Sequence, residues 1–174
     1  MELKVIARMK SPFPDKFGIP RQSGLADSLE SLVVFEPAFR VEEALRGLEG
    51  FSHLWLIWGF SAHGDGGWSP TVRPPRLGGD RRMGVFATRS PNRPNALGLS
   101  AVRLLGLERG PEGTSLKVAG ADLMDGTPIY DIKPYLPYSD SCLDAVGGYA
   151  HDAPDARLQV VFPQELLNRV PEPL

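Results

Sequence analysis

Short apolar runs recur along most of the chain, separated by polar and turn-forming residues. At residues 3–9 every second residue is apolar, the period-two pattern of a half-buried β-strand, and Pro, Gly, Ser or Asp residues end most of the runs. Other runs are rich in Val, Ile, Leu, Phe and Trp, the residues that favour strands. The pattern predicts seven or eight strands, at residues 3–9, 29–35, 52–60, 83–88, 97–107, 115–119, 129–132 and 158–162.

One segment has a clear helical period instead. Val41, Ala44, Leu45 and Leu48 lie at i, i+3, i+4 and i+7, with acidic residues at the start and glycines near the end. A weaker helix is predicted over residues 164–169. Many strands without regularly alternating helices predict an all-β fold. We expect a small closed or nearly closed β-barrel with one short helix and long inserted loops.

The composition limits the class of protein. The chain has 174 residues, 42% of them hydrophobic, which suits a single domain with a real core. Its single cysteine, Cys142, excludes a disulfide framework. No uncharged apolar run approaches the ~20 residues of a membrane helix, and the N-terminus lacks the features of a signal peptide. These features predict a cytoplasmic protein.

The net charge of -2 hides an uneven distribution. Residues 73–93 carry six arginines against one acid, a balance of +5, whereas residues 108–155 carry nine acids against three basic residues, a balance of -6. Such an arginine cluster forms either a solvated loop with surface ion pairs or an anion-binding site. Arginine favours bidentate recognition of phosphate or carboxylate, which favours a polyanionic partner such as RNA.

The sequence argues against several kinds of functional site. The histidines, His53, His63 and His151, form no close pair with metal-ligand spacing, so we expect no metal site. The chain lacks the G-x-S-x-G nucleophile motif. It also lacks the glycine motifs that cradle the phosphates of dinucleotides and nucleoside triphosphates.

Two segments are better candidates for a site. In residues 87–100, two prolines stiffen a loop that carries Arg89 and Arg93, which suits an anionic or heteroaromatic ligand. The alternative is an elaborate turn between strands. In residues 122–138, Asp125-Gly126 is a hairpin signal that leads into a strand with polar side chains on one face. The alternative there is an ordinary edge strand.

Several longer motifs resemble those of one family. Residues 16–22 read Lys-Phe-Gly-Ile-Pro-Arg-Gln, and further matching motifs lie at residues 66–68, 71–79, 84–90, 93–95, 125–128 and 131–137. They are similar to motifs of the TsaA-like β-barrel proteins, a family that includes bacterial methyltransferases of tRNA N6-threonylcarbamoyladenosine. The resemblance runs from about residue 5 to residue 162.

The resemblance implies a methyltransferase dependent on S-adenosylmethionine (SAM) that methylates N6 of threonylcarbamoyladenosine beside the anticodon of tRNA. It also implies a homodimer with the cofactor near the subunit interface. Residues 1–163 would form the SAM-binding domain and residues 164–174 a C-terminal tail, without the additional C-terminal domain of the bacterial enzymes. The alternatives are a SAM-binding regulatory module and a small-molecule methyltransferase on the same barrel.

Site residues follow from the resemblance position by position. Ser61 and Ala62 stand where the family often has a His-Gln pair, so a side-chain contact there would be weakened. The implied cofactor-binding residues are Pro20, Arg21, Gln22, Ser61, Ala62, Arg89, Leu99, Asp125, Gly126, Thr127 and Pro128.

Transfer of a methyl group depends mainly on proximity and in-line orientation, but the N6 proton must also leave. The candidate proton acceptors are Asp125, Tyr130 and Asp131. The candidates for contact with the tRNA backbone are Arg73, Arg76, Arg81, Arg82 and Arg93.

Overall fold

The computed structural model describes residues 2–63, 67–152 and 161–169. The chain divides into two compact units, Met1–Leu143 and Asp144–Leu174. All the described strands lie in the first unit: β1 Ala7–Lys10, β2 Glu30–Phe35, β3 His53–Gly59, β4 Thr71–Val72, β5 Met83–Gly84, β6 Leu97–Gly110, β7 Gly113–Ala119 and β8 Pro128–Pro134.

Six of these strands pair in a closed ring in the order β1-β2-β7-β6-β3-β8, and β8 pairs again with β1. Every pairing is antiparallel. Because the ring closes, none of these six strands is left as an outer edge of the sheet. The short strands β4 and β5 form a separate two-stranded ribbon. The prediction of a mainly β protein with long inserted loops is confirmed.

The core fills the inside of the ring. In β1, β2, β3 and β7 alternate residues point inward, so that β3 buries Leu54 and Leu56 and β7 buries Leu116 and Val118. In β3 this alternation is not visible in the sequence, because Trp55 and Ile57 between the buried residues are also apolar. Burying each such side chain stabilises the fold by roughly 1.5–3 kcal/mol, and a register slip of one residue would expose a whole face.

Trp58 lies at the end of this core, beside β6. Its pairing partner is Gly98, and a Cβ atom there would lie 2.2 Å from the indole ring. Glycine therefore leaves the space in which the ring lies across the neighbouring strand. The indole Nε1 donates to Ser100 Oγ at 3.0 Å, and the ring packs against Phe60 with centroids 4.4 Å apart.

The predicted α-helix at Val41 to Leu48 is wrong. Two short 3₁₀ helices, Glu42–Leu45 and Leu48–Gly50, occupy this region. Gly47 separates them with φ of +85°, a left-handed conformation that ends any helix. Leu45 and Leu48 still pack against the core, because the i, i+3 spacing that predicted the α-helix also aligns side chains in a 3₁₀ helix.

Other boundaries also differ from the predictions. The strand expected at residues 83–88 is only Met83–Gly84 and continues as a 3₁₀ helix, Val85–Ala87. The first unit also contains a short helix that was not predicted, α1 Pro137–Asp140, whereas α2 Gln164–Leu167 in the second unit confirms the weaker helix. Residues 158–160 of the last expected strand lie outside the described residues, and residues 161–162 are not in a strand. The domain boundary after residue 163 stays a prediction.

Candidate functional site

A cavity of about 630 Å³ lies in the first unit, where three loops meet the ends of β3 and β6. Its volume falls within the range of about 300–1,000 Å³ that small-molecule sites occupy. The loop after β1, the end of β3 with its following loop, the loop before β6, and the segment after β7 all contribute. The lining residues are Lys16, Ile19, Pro20, Arg21, Gln22, Trp55, Trp58, Phe60, Ser61, Ala62, His63, Thr88, Arg89, Pro91, Arg93, Leu97, Gly98, Leu99, Asp122, Met124 and Thr127.

Eight of the eleven predicted cofactor-binding residues line this cavity. They come from four segments that are far apart in sequence, and the fold brings them together. They are Pro20, Arg21, Gln22, Ser61, Ala62, Arg89, Leu99 and Thr127.

Arg89 and Gln22 join two of these segments directly. Arg89 Nη1 donates a hydrogen bond to Gln22 Oε1, and the Gln22 amide nitrogen donates to the Arg21 backbone carbonyl. Arg89 is exposed, so part of its guanidinium remains accessible to a ligand. The stiff loop of residues 87–100 and the loop of residues 16–22 therefore form one wall of the cavity.

Three predicted cofactor-binding residues do not line the cavity. The Asp125 carboxylate accepts a hydrogen bond from the Ser11 amide at 3.0 Å, and the Gly126 amide donates to the Met9 carbonyl at 2.8 Å. Both residues thus hold the turn before β8 against the end of β1. Pro128 lines a neighbouring cavity of about 530 Å³ instead. The hairpin signal located the turn, but a turn sequence does not determine where its side chains point.

The other predicted proton acceptors also lie outside the main cavity. Tyr130 lines the neighbouring cavity, which shares Phe60, Ser61 and Leu97 with the main one. Asp131 forms an ion pair with Lys133 at 3.0 Å and accepts from the Ile132 amide at 2.9 Å. None of Asp125, Tyr130 and Asp131 is thus placed in the main cavity.

Arg93 organises the cavity wall. Its Nη1 donates to the carbonyls of Val85, Thr88 and Ser90 at 3.4, 2.7 and 3.3 Å, and its guanidinium lies 6.0 Å from the Phe86 ring centroid. Three contacts with its own loop hold the loop in shape. The predicted contact of Arg93 with tRNA therefore competes with a structural role that the sequence did not reveal.

The other predicted tRNA-binding arginines lie on or near the ribbon of β4 and β5. Arg73, Arg76, Arg81 and Arg82 are all exposed in the connection between these strands. Arg82 Nη1 also donates to Thr71 Oγ1 at 2.7 Å, which ties the connection to β4. We call residues 71–84 the arginine hairpin. It presents its positive charges to solvent.

Sequence reasoning missed Asp122, which lines the cavity immediately after the buried end of β7. Its Oδ1 accepts from Ser100 Oγ at 2.5 Å, and Ser100 accepts from Trp58. Burial raises the pKa of the Asp122 carboxyl above its ordinary value. The Ser100 hydroxyl, the backbone amides of Asp122 and Ser23 and the charge of Arg89 act against that rise in pKa. The available signal was an acid flanked by buried residues, Ala121 and Leu123.

The cavity is also lined by His63, whose side chain contains a buried polar atom. Within the described part of the chain, its Nε2 is a buried side-chain nitrogen without a hydrogen-bond partner. Buried polar atoms almost always have a partner, so a nitrogen left open in the wall of a cavity is suited to contact a ligand. In residues 2–63, 67–152 and 161–169 no group of three His, Cys, Asp or Glu residues could hold a metal ion.

The fold is that of a mainly β domain, with a closed antiparallel sheet and a charged cavity at the ends of two of its strands. Comparison with known proteins gives its family: residues 8–141 match the tRNA-methyltransferase O N-terminal domain, and the chain belongs to that family. The resemblance seen in the motifs is thereby confirmed. No helix among the described residues is long and apolar enough to cross a membrane.

Relatives from bacteria align with almost the whole chain. The tRNA (adenine(37)-N6)-methyltransferase of Escherichia coli K12 is 47% identical over 165 residues, which cover 95% of this chain and 70% of the relative. A Pseudomonas aeruginosa protein, 45% identical over 96% of this chain and 70% of its own length, is named as a candidate S-adenosylmethionine-dependent methyltransferase.

A solved structure gives the same fold. The crystal structure of TrmO from Pseudomonas aeruginosa superposes with a TM-score of 0.72 at 41% identity, covering 89% of this chain. This chain spans 65% of the length of that protein. The likeness therefore concerns the part that contains the closed sheet and the cavity.

Proposed function

We propose that this chain is a SAM-dependent tRNA methyltransferase domain, built on a small β-barrel, that methylates N6 of threonylcarbamoyladenosine beside the anticodon. One observation carries the proposal: the fold gathers eight of the residues that the family resemblance assigns to the cofactor around a single cavity. The names of the relatives support the reaction, since they describe tRNA (adenine(37)-N6)-methyltransferases.

The residues of the cavity fit SAM. Trp58, Phe60 and Leu97 provide apolar walls for an adenine ring, and Arg21 and Arg89 provide cations for a carboxylate. The open His63 nitrogen adds a polar contact. When bound, SAM supplies a methyl group that its sulfonium sulfur makes electrophilic.

The protein contributes binding, orientation and the exclusion of water. Arg89 and Gln22 hold the two cavity loops together, and Arg93 fixes the shape of the loop before β6. Such a preformed wall lowers the entropy lost when two reactants are aligned. Tyr130 is the candidate proton acceptor whose cavity adjoins the cofactor site, whereas Asp125 and Asp131 are engaged with neighbouring groups.

The arginine hairpin is proposed to bind the tRNA backbone. Its exposed guanidinium groups match the geometry of phosphate, and each phosphate that they neutralise releases counterions. We expect the enzyme to act in the cytoplasm, because its proposed substrate is tRNA.

We also propose a homodimer that covers the outer face of β6. Leu97 and Leu99 are 36% and 57% exposed there and line the cavity, so a second subunit at this face would lie against the cofactor. Leu99→Glu should convert the dimer to a monomer in sedimentation velocity, whereas Leu143→Glu, at a residue 99% exposed, should leave it unchanged. A wild-type monomer would contradict the proposal.

The function is tested in two stages. Isothermal titration with SAM and its demethylated product, S-adenosylhomocysteine, should show micromolar binding. Labelled SAM should then transfer its methyl group to tRNA that carries N6-threonylcarbamoyladenosine and leave tRNA without that modification unlabelled. A folded protein that binds neither cofactor form contradicts the proposal, and binding without transfer reduces the protein to a SAM-binding module.

A further inference from the structure

The cavity contains one carboxylate among several cations. Of its described lining residues, Lys16, Arg21, Arg89 and Arg93 carry positive charge and Asp122 alone carries a carboxylate. The amino-acid end of SAM has the complementary pair, a carboxylate and an ammonium group on the same carbon. Arginine is suited to the carboxylate, which leaves the ammonium group without a negative partner unless Asp122 supplies it.

We propose that Asp122 binds the α-ammonium group of the cofactor while Arg89 binds its carboxylate. This inference rests on the proposed function only in taking SAM as the cofactor. Arg89 and Asp122 line the same cavity, so one ligand bound there can contact both side chains. In an amino acid the ammonium group and the carboxylate are bonded to the same carbon, so the two charged groups lie side by side.

The surroundings of Asp122 orient the carboxylate and still leave it an open acceptor site. Trp58 Nε1 donates to Ser100 Oγ at 3.0 Å, and Ser100 donates to Asp122 Oδ1 at 2.5 Å. An ionised carboxylate offers about four acceptor sites, so the bond from the Ser100 hydroxyl leaves room for a donor from a ligand.

A purely structural role for Asp122 would leave its negative charge unexplained. Asp122 could serve only as the acceptor for the Ser100 hydroxyl on β6. A neutral Asn could accept that one hydrogen bond through its Oδ1 without bringing a charge into a partly buried place, where charge is costly. The carboxylate is instead suited to a cationic ligand, which offsets that cost when it binds.

The test compares three ligands by isothermal titration. SAM and S-adenosylhomocysteine both carry the ammonium group, whereas 5′-methylthioadenosine has the same nucleoside and sulfur but no amino-acid end. In Asp122→Asn, we expect affinity for SAM and S-adenosylhomocysteine to fall roughly tenfold or more, since hydrogen bonds to charged groups have that strength. Affinity for 5′-methylthioadenosine should stay as in the wild type.

Two further variants complete the design. Asp144→Asn is the matched control, an exposed acid of the second unit, and should bind all three ligands as the wild type does. Ser100→Ala keeps the carboxylate but removes its orienting donor, and should weaken only the two ligands that have an ammonium group. It decides the question if Asp122→Asn does not fold.

Each contrary outcome has a distinct meaning. Unchanged SAM affinity in Asp122→Asn overturns the proposal, and an equal loss for 5′-methylthioadenosine assigns Asp122 to the ribose or to cavity structure instead. If the wild type binds no SAM, this proposal and the proposed function fail together. If it binds SAM but transfers no methyl group to tRNA, the proposed function alone fails.

Discussion

Arg89 donates a hydrogen bond to Gln22 across 67 residues of sequence, and this contact closes the cavity wall between two loops. The same guanidinium has further donors with which it can bind a ligand carboxylate. Arg89 and Gln22 both lie outside the closed sheet, so the wall depends on contacts of this kind.

Replacing Arg89 by Ala should weaken SAM binding at least tenfold in isothermal titration, because both the wall contact and a charged donor are lost. Arg89→Lys should recover only part of the affinity, since Lys keeps the charge but not the planar group. Arg46→Ala, at an exposed arginine that does not line the cavity, is the control and should bind normally. Wild-type affinity in Arg89→Ala would remove Arg89 from the cofactor site.

Gly98→Ala should destabilise the protein. The new methyl group would lie 2.2 Å from the Trp58 ring, so the ring must move. Overpacking of this kind costs about 1–3 kcal/mol, which denaturant unfolding followed by Trp fluorescence would measure. Gly84→Ala is a matched control, since a Cβ there has no atom within 4 Å. Equal stability of the two variants would show that the indole has room to shift.

Charge reversal in the arginine hairpin should separate tRNA binding from cofactor binding. The double variant Arg81→Glu/Arg82→Glu should weaken tRNA binding tenfold or more and flatten its dependence on salt concentration. SAM affinity should not change, because neither residue lines the cavity. Reversal of two exposed arginines outside the hairpin, Arg46 and Arg169, is the control. Unchanged tRNA affinity in the hairpin variant would indicate a different binding surface.

Stability should depend on pH through Asp122. Burial raises the pKa of this carboxyl in the folded state above its ordinary value of 3.8, so the folded protein binds the proton more tightly than the unfolded chain does. The free energy of unfolding therefore falls as pH rises from the unfolded pKa through the folded one. Asp122→Asn should be more stable than the wild type at pH 7, with a smaller difference near pH 4.

Urea unfolding at several pH values would measure this difference. A variant less stable than the wild type at pH 7 would mean that the hydrogen bonds of the carboxylate outweigh its burial. Asp144→Asn serves again as the control, since it removes an exposed carboxyl of the second unit.

The sequence predicted the sheet better than the site. The alternation at residues 3–9 predicted one strand, and the apolar runs around Leu54 and Leu116 predicted two more, because strands of the ring bury one face in the core. The helical period around Ala44 gave a wrong prediction of an α-helix, because two 3₁₀ helices satisfy the same spacing. The residues around Gly47 did not show that this glycine would take a positive φ.

Within the site, the motifs identified segments, whereas the roles of single side chains depend on their orientation. Asp125 and Asp122 lie three residues apart, yet only Asp122 lines the cavity. Asp125 is turned toward Ser11 by contacts with a distant strand end, which no local pattern records. The three carbonyl contacts of Arg93 were equally hidden, because they depend on how its own loop folds back.

The contacts of Arg93 make the loop before β6 dependent on one side chain. Val85, Thr88 and Ser90 all present their carbonyls to the same Nη1 atom, and none of the three lies in the closed sheet. The loop can therefore lose its shape while the sheet stays folded, so that ligand affinity and global stability are separable properties of this domain.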